Sequence, residues 1–399
     1  MNPLLDKLQP YPFEKLTKLL GEVLANPKLT PIKLSIGEPK HPAPEFVTKI
    51  LIDNINKVET YPTTKGIPEL RESIANWATQ RFDLAQSPLN PDTQVLPVNG
   101  TREAIFSFTQ ACVNDTANGL VVSPNPFYQI YEGATYLSGV DLKLLPCLEE
   151  HGFQPDFDAV DEETWQRCQI LFLCSPGNPT GAVVDLETLE QLIHLSDKYD
   201  FVLASDECYS EIYTDETNAP IGLLEACVKL GRVDYKNCIV FHSLSKRSNL
   251  PGLRSGFVAG DADLLAQYLK YRTYHGCALP VHHQLASIAA WNDETHVMEN
   301  RDQYRAKFKA VLEILEPVMD VEQTDASFYL WPKTPISDEQ FAQQLFKEQN
   351  VTVVPGSYLS RTVGGVNPGA NRVRMALVAP VDECVEAANR IKTFIEGLK

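Results

Sequence analysis

Three short apolar runs are each followed by a polar cluster able to do chemistry. After QILFLC (169–174) comes SPGNPTG, with Asn178 among turn-forming residues. After FVLAS (201–205) comes DECY, with Asp206 and Tyr209. CIVFHS (238–243), which ends in Ser243, leads into LSKRSNLPGLRSG, which carries Ser245, Lys246 and Arg254. A fourth place is Gly100-Thr101-Arg102, where the apolar run 95–98 gives way to a helical pattern. Free N–H groups and the helix dipole favour an anion there. Ligands of open α/β sheets bind beyond the carboxyl ends of the strands, so these clusters would converge on one crevice. An amide, a carboxylate, a phenol, a lysine and an arginine together suit pyridoxal phosphate. That cofactor wants a lysine as covalent anchor, an acid to keep its pyridine nitrogen protonated, and donors to its phenolic oxygen. Hydroxyls, an arginine and backbone N–H groups make a cup for its phosphate. No GxGxxG, GxxxxGKS/T or GxSxG pattern supports a rival chemistry.

The elements that must position these groups alternate. PELRESIANWATQRF, from Pro68, reads as an amphipathic helix with Pro at its first position. TREAIFSFTQAC (101–112) and residues 186–199 are also helical in pattern. Apolar runs at 95–98, 119–123, 169–174, 201–205, 238–243 and 256–260 suit strands, several of them buried on both faces. The class is therefore α/β, with a large, mostly parallel central sheet flanked by helices. From about residue 281, helical stretches (281–292, 295–317, 337–349, 380–398) surround short strands at 327–331, 351–354 and 371–377. This reads as a smaller α+β domain. The Pro-rich opening reads as an extended arm. The expected division is 1–44 (arm and part of the small domain), 45–280 (large domain) and 281–399 (small domain).

A chain of 399 residues fits two to three domains and can bury a large core. With 35 Lys+Arg against 52 Asp+Glu, the formal charge is −17. That argues against nucleic acid or an anionic membrane as partner. An anionic substrate would need local Arg or Lys residues. No apolar stretch approaches the roughly 20 residues of a membrane span, and no secretory signal pattern opens the chain. Nine cysteines without a CxxC pair fit reduced thiols in a cytoplasm better than a disulfide framework or a zinc site. His282 and His283 lack a third ligand at sensible spacing and read as helix residues, so no metal is expected.

The motifs LSIGEP (34–39), YPTTKGIPELR (61–71), NGTREAI (99–105), PFY (126–128), PGNPTG (176–181), SDECY (205–209), SLSKRSNLPGLRSG (243–256) and VRMAL (373–377) occur in one order. In that order and spacing they resemble the class I/II aminotransferases, pyridoxal-phosphate enzymes of PLP-transferase fold type I. The resemblance spans nearly the whole chain. It implies Lys246 as the Schiff-base lysine and proton carrier, and Asp206 as partner of the pyridinium nitrogen. Asp is also a good helix N-cap, the competing reading. Tyr209 and Asn178 would bond the phenolic oxygen, a role compatible with turn chemistry at Asn-Pro. Ser243, Ser245, Arg254, Thr101 and the backbone of Arg102 would hold the phosphate, and Tyr128 would stack on the ring. Arg374, with Gly37 and Asn178, would bind the substrate's α-carboxylate. Tyr61 would reach the phosphate of a neighbouring subunit, which implies a homodimer with shared sites.

The segments YRTYHGCALP (271–280), ASIAAWNDETHV (286–297) and NRVRMALVAP (371–380) resemble the bacterial succinyldiaminopimelate transaminases of lysine biosynthesis. The implied reaction moves an amino group between N-succinyl-LL-2,6-diaminopimelate and 2-oxoglutarate/glutamate. Residues 279–283 depart from that pattern. Lys65, Lys270 and Arg272 are the candidate cations for a distal carboxylate. Other aminotransferases (aspartate, alanine, kynurenine, acetylornithine) and carbon–sulfur β-lyases share the cofactor set. A non-catalytic regulatory module would need an added basic DNA-binding segment, and would not need Lys246.

Overall fold

The computed structural model describes residues 1–114 and 118–398. Its centre is a seven-stranded sheet. The spatial order is Val95–Val98, Gly256–Gly260, Cys238–Ser243, Val202–Asp206, Cys168–Cys174, Leu120–Asn125, Asp141–Pro146. Only Gly256–Gly260 runs antiparallel to its two neighbours, and the other pairs are parallel. The central strands are apolar on both faces because helices cover both. One face packs Leu171, Leu203 and Val240 against Leu70, Leu192 and Trp291. The other packs Phe172, Ala204 and Phe241 against Ile105, Phe108 and Tyr268. The predicted strands match to within a residue or two. Asp141–Pro146, an edge strand, is the addition. Its burial pattern leaves Asp141 and Lys143 exposed, so it lacks the continuous apolar run that marks the others.

The N-terminal segment is less extended than its prolines suggest. Pro12–Leu20 is an α-helix with Pro at its first position. Ile32–Lys33 pairs in parallel with Val351–Thr352, which ties this segment to the C-terminal part. There, Tyr329–Leu330, Val354–Pro355 and Val373–Ala376 form an antiparallel three-stranded sheet. Helices Thr295–Leu315, Asp338–Gln349 and Val381–Gly397 contribute Leu312, Leu345 and Ile391 to a separate core. Helix Val281–Trp291 behaves differently: Ala286, Ala290 and Trp291 join the core of the large sheet. We propose that the division between the two domains lies after Trp291 rather than at 280/281. Among the described residues, no helix is long and apolar enough to cross a membrane.

Candidate active site

A cavity of about 570 Å³ opens at the carboxyl ends of Cys168–Cys174, Val202–Asp206 and Cys238–Ser243. Tyr329 and Arg374 close it from the C-terminal domain, and Tyr11, Ile36 and Gly37 from the N-terminal segment. Gly37, Thr101, Arg102, Tyr128, Asn178, Asp206, Tyr209, Ser243, Ser245, Lys246, Arg254 and Arg374 all line it. Tyr61 does not: in this chain its side chain is fully exposed, outside the cavity.

Lys246 sits on the short helix Leu244–Arg247, directly after a buried strand. Ser243 starts that helix by accepting the Ser245 N–H at 3.1 Å. The two hydroxyls lie 2.9 Å apart. The Lys246 ammonium donates to the Gly37 carbonyl. Desolvation brings its pKa down to about 8, and Arg374 and Arg254 act in the same direction. Near neutral pH a useful fraction is therefore already the nucleophilic free amine.

Asp206 ends its strand, buried. Tyr131 donates to its Oδ2 at 2.9 Å, and the Cys208 N–H to its Oδ1 at 3.3 Å. Burial raises the carboxyl's pKa, and these donors only partly oppose the rise. A cation placed beside it would restore the ionised form. Arg374 donates to Asn178 Oδ1 at 3.0 Å and to the Ser35 carbonyl at 2.8 Å. Its Nε is buried without a hydrogen-bond partner among the described residues. A carboxylate entering the cavity would supply one.

At the other end, Arg254 (φ 52°) donates to the Pro251 carbonyl at 2.8 Å. Gly100 has φ 88°, and a Cβ there would lie 2.2 Å from an Arg254 Nη. Only glycine lets the guanidinium settle over the start of helix Thr101–Cys112. That leaves a cradle of arginine, serines and helix N-terminus for a phosphate. The Arg102 side chain donates to the Tyr128 hydroxyl at 2.7 Å, fixing that ring at the cavity wall.

The three candidate distal cations fall elsewhere. Lys65 is 3.6 Å from Asp92, and Arg272 is fully buried, with Nη1 2.9 Å from both Glu103 oxygens. Neither lines the cavity, nor do Lys270 and residues 279–283. His282 and His283 lie in a helix, as read, and His283 Nδ1 is 2.9 Å from the Leu253 carbonyl. Sequence reasoning missed Tyr131 and Tyr329. Each stands in an aromatic stretch (PFYQIY, SFYLW) that reads as core, and nothing local marks Tyr131 as a donor to Asp206 or Tyr329 as a cavity residue.

An anchor lysine, an acid, a carboxylate-binding arginine and a phosphate cradle around one cavity define a pyridoxal-phosphate enzyme acting on amino acids. The sequence model described as "Aminotransferase class I and II" matches residues 30–391. The chain belongs to that family, with its PLP-transferase fold type I, and uses pyridoxal phosphate to move amino groups between amino and oxo acids. It is 34% identical over 390 residues to "LL-diaminopimelate aminotransferase" of Maridesulfovibrio salexigens, covering 96% of each chain. A crystal structure of an aminotransferase from Neisseria meningitidis superposes with a TM-score of 0.95 at 48% identity, covering 98% of this chain and 99% of that one. A probable N-succinyldiaminopimelate aminotransferase from Thermus thermophilus superposes with a TM-score of 0.83 at 26% identity, covering 96% and 98%.

Proposed function

We propose that the chain exchanges an amino group between N-succinyl-LL-2,6-diaminopimelate and 2-oxoglutarate/glutamate, in lysine biosynthesis in the cytoplasm. The observation that carries the amino-acid part is the orphaned Arg374 Nε, aligned with Asn178 in the cavity that holds Lys246. The succinyl part is supported by segments 271–280, 286–297 and 371–380. Bound pyridoxal phosphate supplies the electron sink that makes the substrate's Cα–H acidic. In our reading Lys246 anchors the cofactor, then moves the proton from Cα as base and returns it as acid. Asp206 keeps the ring nitrogen protonated, while Tyr209 and Asn178 bond the ring oxygen. Tyr128 packs on the ring. Ser243, Ser245, Arg254, Thr101 and the Arg102 N–H hold the phosphate. Arg374 and Gly37 orient the α-carboxylate.

The alternative is LL-2,6-diaminopimelate without the succinyl group, favoured by the name of the Maridesulfovibrio relative. A single-turnover absorbance experiment separates the two. Holoenzyme is mixed, without oxo acid, with the succinylated compound, free LL-diaminopimelate, acetylornithine, aspartate, alanine or kynurenine. Fastest loss of the long-wavelength band with the succinylated compound is expected. Faster loss with the free diamine would replace our substrate with the alternative. An unchanged band with every amine would remove the reading altogether.

We also propose a homodimer in which Tyr61 serves the partner's phosphate cradle. The exposed apolar residues Ile55, Val58 and Tyr274, together with Tyr61 itself, support it. Sedimentation at micromolar concentration should give twice the chain mass. An active monomer would end this proposal.

A further inference from the structure

Tyr329 enters no role above, yet it touches three groups that have one. Its ring is buried on the strand Tyr329–Leu330, next to Val373–Ala376, which carries Arg374. Its hydroxyl is 2.9 Å from the Tyr209 hydroxyl, its one hydrogen bond among the described residues. The Arg374 guanidinium lies over its ring, 4.6 Å from the centroid. On the remaining side stands Gly37, where a Cβ would come within 2.1 Å of the Tyr329 hydroxyl. That oxygen is therefore confined between the residue-37 backbone and Tyr209.

We propose that Tyr329 is a positioning residue for both ends of the site. Its hydroxyl donates to Tyr209 and aims the Tyr209 proton at the cofactor's ring oxygen. Its ring supports Arg374 against the substrate carboxylate. The inference deepens the proposed function and rests on the role given there to Tyr209. The geometry allows two directions for the shared hydrogen bond, and they have opposite consequences. If Tyr329 donates, the Tyr209 proton is free for the cavity, and the two bonds strengthen each other. If Tyr209 donates, its proton points away from the cavity, and losing Tyr329 would release it toward the cofactor.

The readout is the pH titration of the holoenzyme's absorbance band. A donor on the ring oxygen stabilises the form that has lost its proton, so removing the donor raises the midpoint. Tyr209→Phe should raise it by roughly 1–2 units. Tyr329→Phe keeps the ring and should raise it by about 0.1–0.6 unit, the share expected for a bond acting through another bond. Its KM for the amino donor should stay within about twofold, because the support for Arg374 remains. In Tyr209→Phe/Tyr329→Phe the second change should add nothing to the first, since it works through Tyr209. Tyr329→Leu removes the ring too and should raise KM by roughly 2–30-fold.

Circular dichroism and cofactor content confirm that each variant is folded and loaded. An unshifted or lowered midpoint in Tyr329→Phe overturns the inference while leaving the Tyr209 role intact. An unshifted midpoint in Tyr209→Phe overturns both. A full shift from Tyr329→Phe in the Tyr209→Phe background also overturns it, because the effect would then bypass Tyr209.

Discussion

Replacing Lys246 with Ala leaves a folded protein that binds pyridoxal phosphate but turns over at least about 10⁴-fold more slowly. The size follows from two losses at once. The covalent anchor goes, and so does the general acid–base, which alone is worth roughly 10²–10⁴-fold. Four of its cavity neighbours are poor substitutes. Among the other cavity residues, Arg254 and Arg374 carry guanidiniums that cannot give up a proton. Burial drives Cys208 and Tyr209 well above their ordinary pKa values, so both stay protonated and are poor bases. Stability should change little, because among the described residues Lys246 makes one side-chain hydrogen bond, to the Gly37 carbonyl, and carries a desolvation cost that alanine lacks. Rapid-quench turnover and thermal unfolding test the two halves. More than about a hundredth of wild-type transamination would remove Lys246 from its role.

The pKa of about 8 has its own consequence. A lysine with the ordinary value of 10.5 would be almost wholly protonated at pH 7 and slow to form a covalent link. Reloading of stripped protein should therefore accelerate as pH rises and reach half its maximum near 8, well below 10.5. A stopped-flow series on the emerging absorbance band gives that midpoint.

The parts of this site legible in the sequence are those that follow buried strands. Asp206 and Lys246 stand immediately beyond continuous apolar runs, and in a parallel sheet such positions converge on one edge. Asn178 was legible for a related reason, since turn chemistry restricts which residues stand there. Gly100 was legible from the helix start after an apolar run, and Arg254 from the polar segment that follows CIVFHS. Packing across the domain junction was not legible. Tyr329 is an aromatic residue among aromatic residues, and only the tertiary fold decides which of them faces the cavity. The same limit hid which core the helix Val281–Trp291 joins. Its apolar face fits either core, and the choice of the large one rests on contacts with residues such as Trp77 that are remote in sequence. The Pro12–Leu20 helix was masked by prolines, one of which occupies the first helical position, where its missing N–H costs nothing. Lys65 and Arg272 are the reverse case: charge alone makes them candidates, and within one chain they pair with Asp92 and Glu103 instead of lining the cavity.

Asp206→Asn should cut kcat by roughly 10²–10⁴-fold, the scale on which one acid–base or electrostatic group contributes to a rate. Asparagine fills the same space and can still accept from Tyr131, so packing is kept. What it cannot do is hold a proton on the ring nitrogen, and without that proton the ring is a weak electron sink. The carboxylate also leaves a thermodynamic signature. In the cofactor-free protein, burial raises the Asp206 pKa above its ordinary 3.8. The native state therefore binds a proton that the unfolded chain has released, and stability contributed by this group is lost as pH rises from 3.8 through the raised value. A bound pyridinium reverses the cost by pairing with the ionised form. The rise in Tm produced by pyridoxal phosphate should thus grow with pH across that window and then level off. In Asp206→Asn that growth should vanish, because amide and ring no longer exchange charge. A variant that kept the same pH-dependent rise would show that another group carries it, and the pairing of Asp206 with the ring nitrogen would fall.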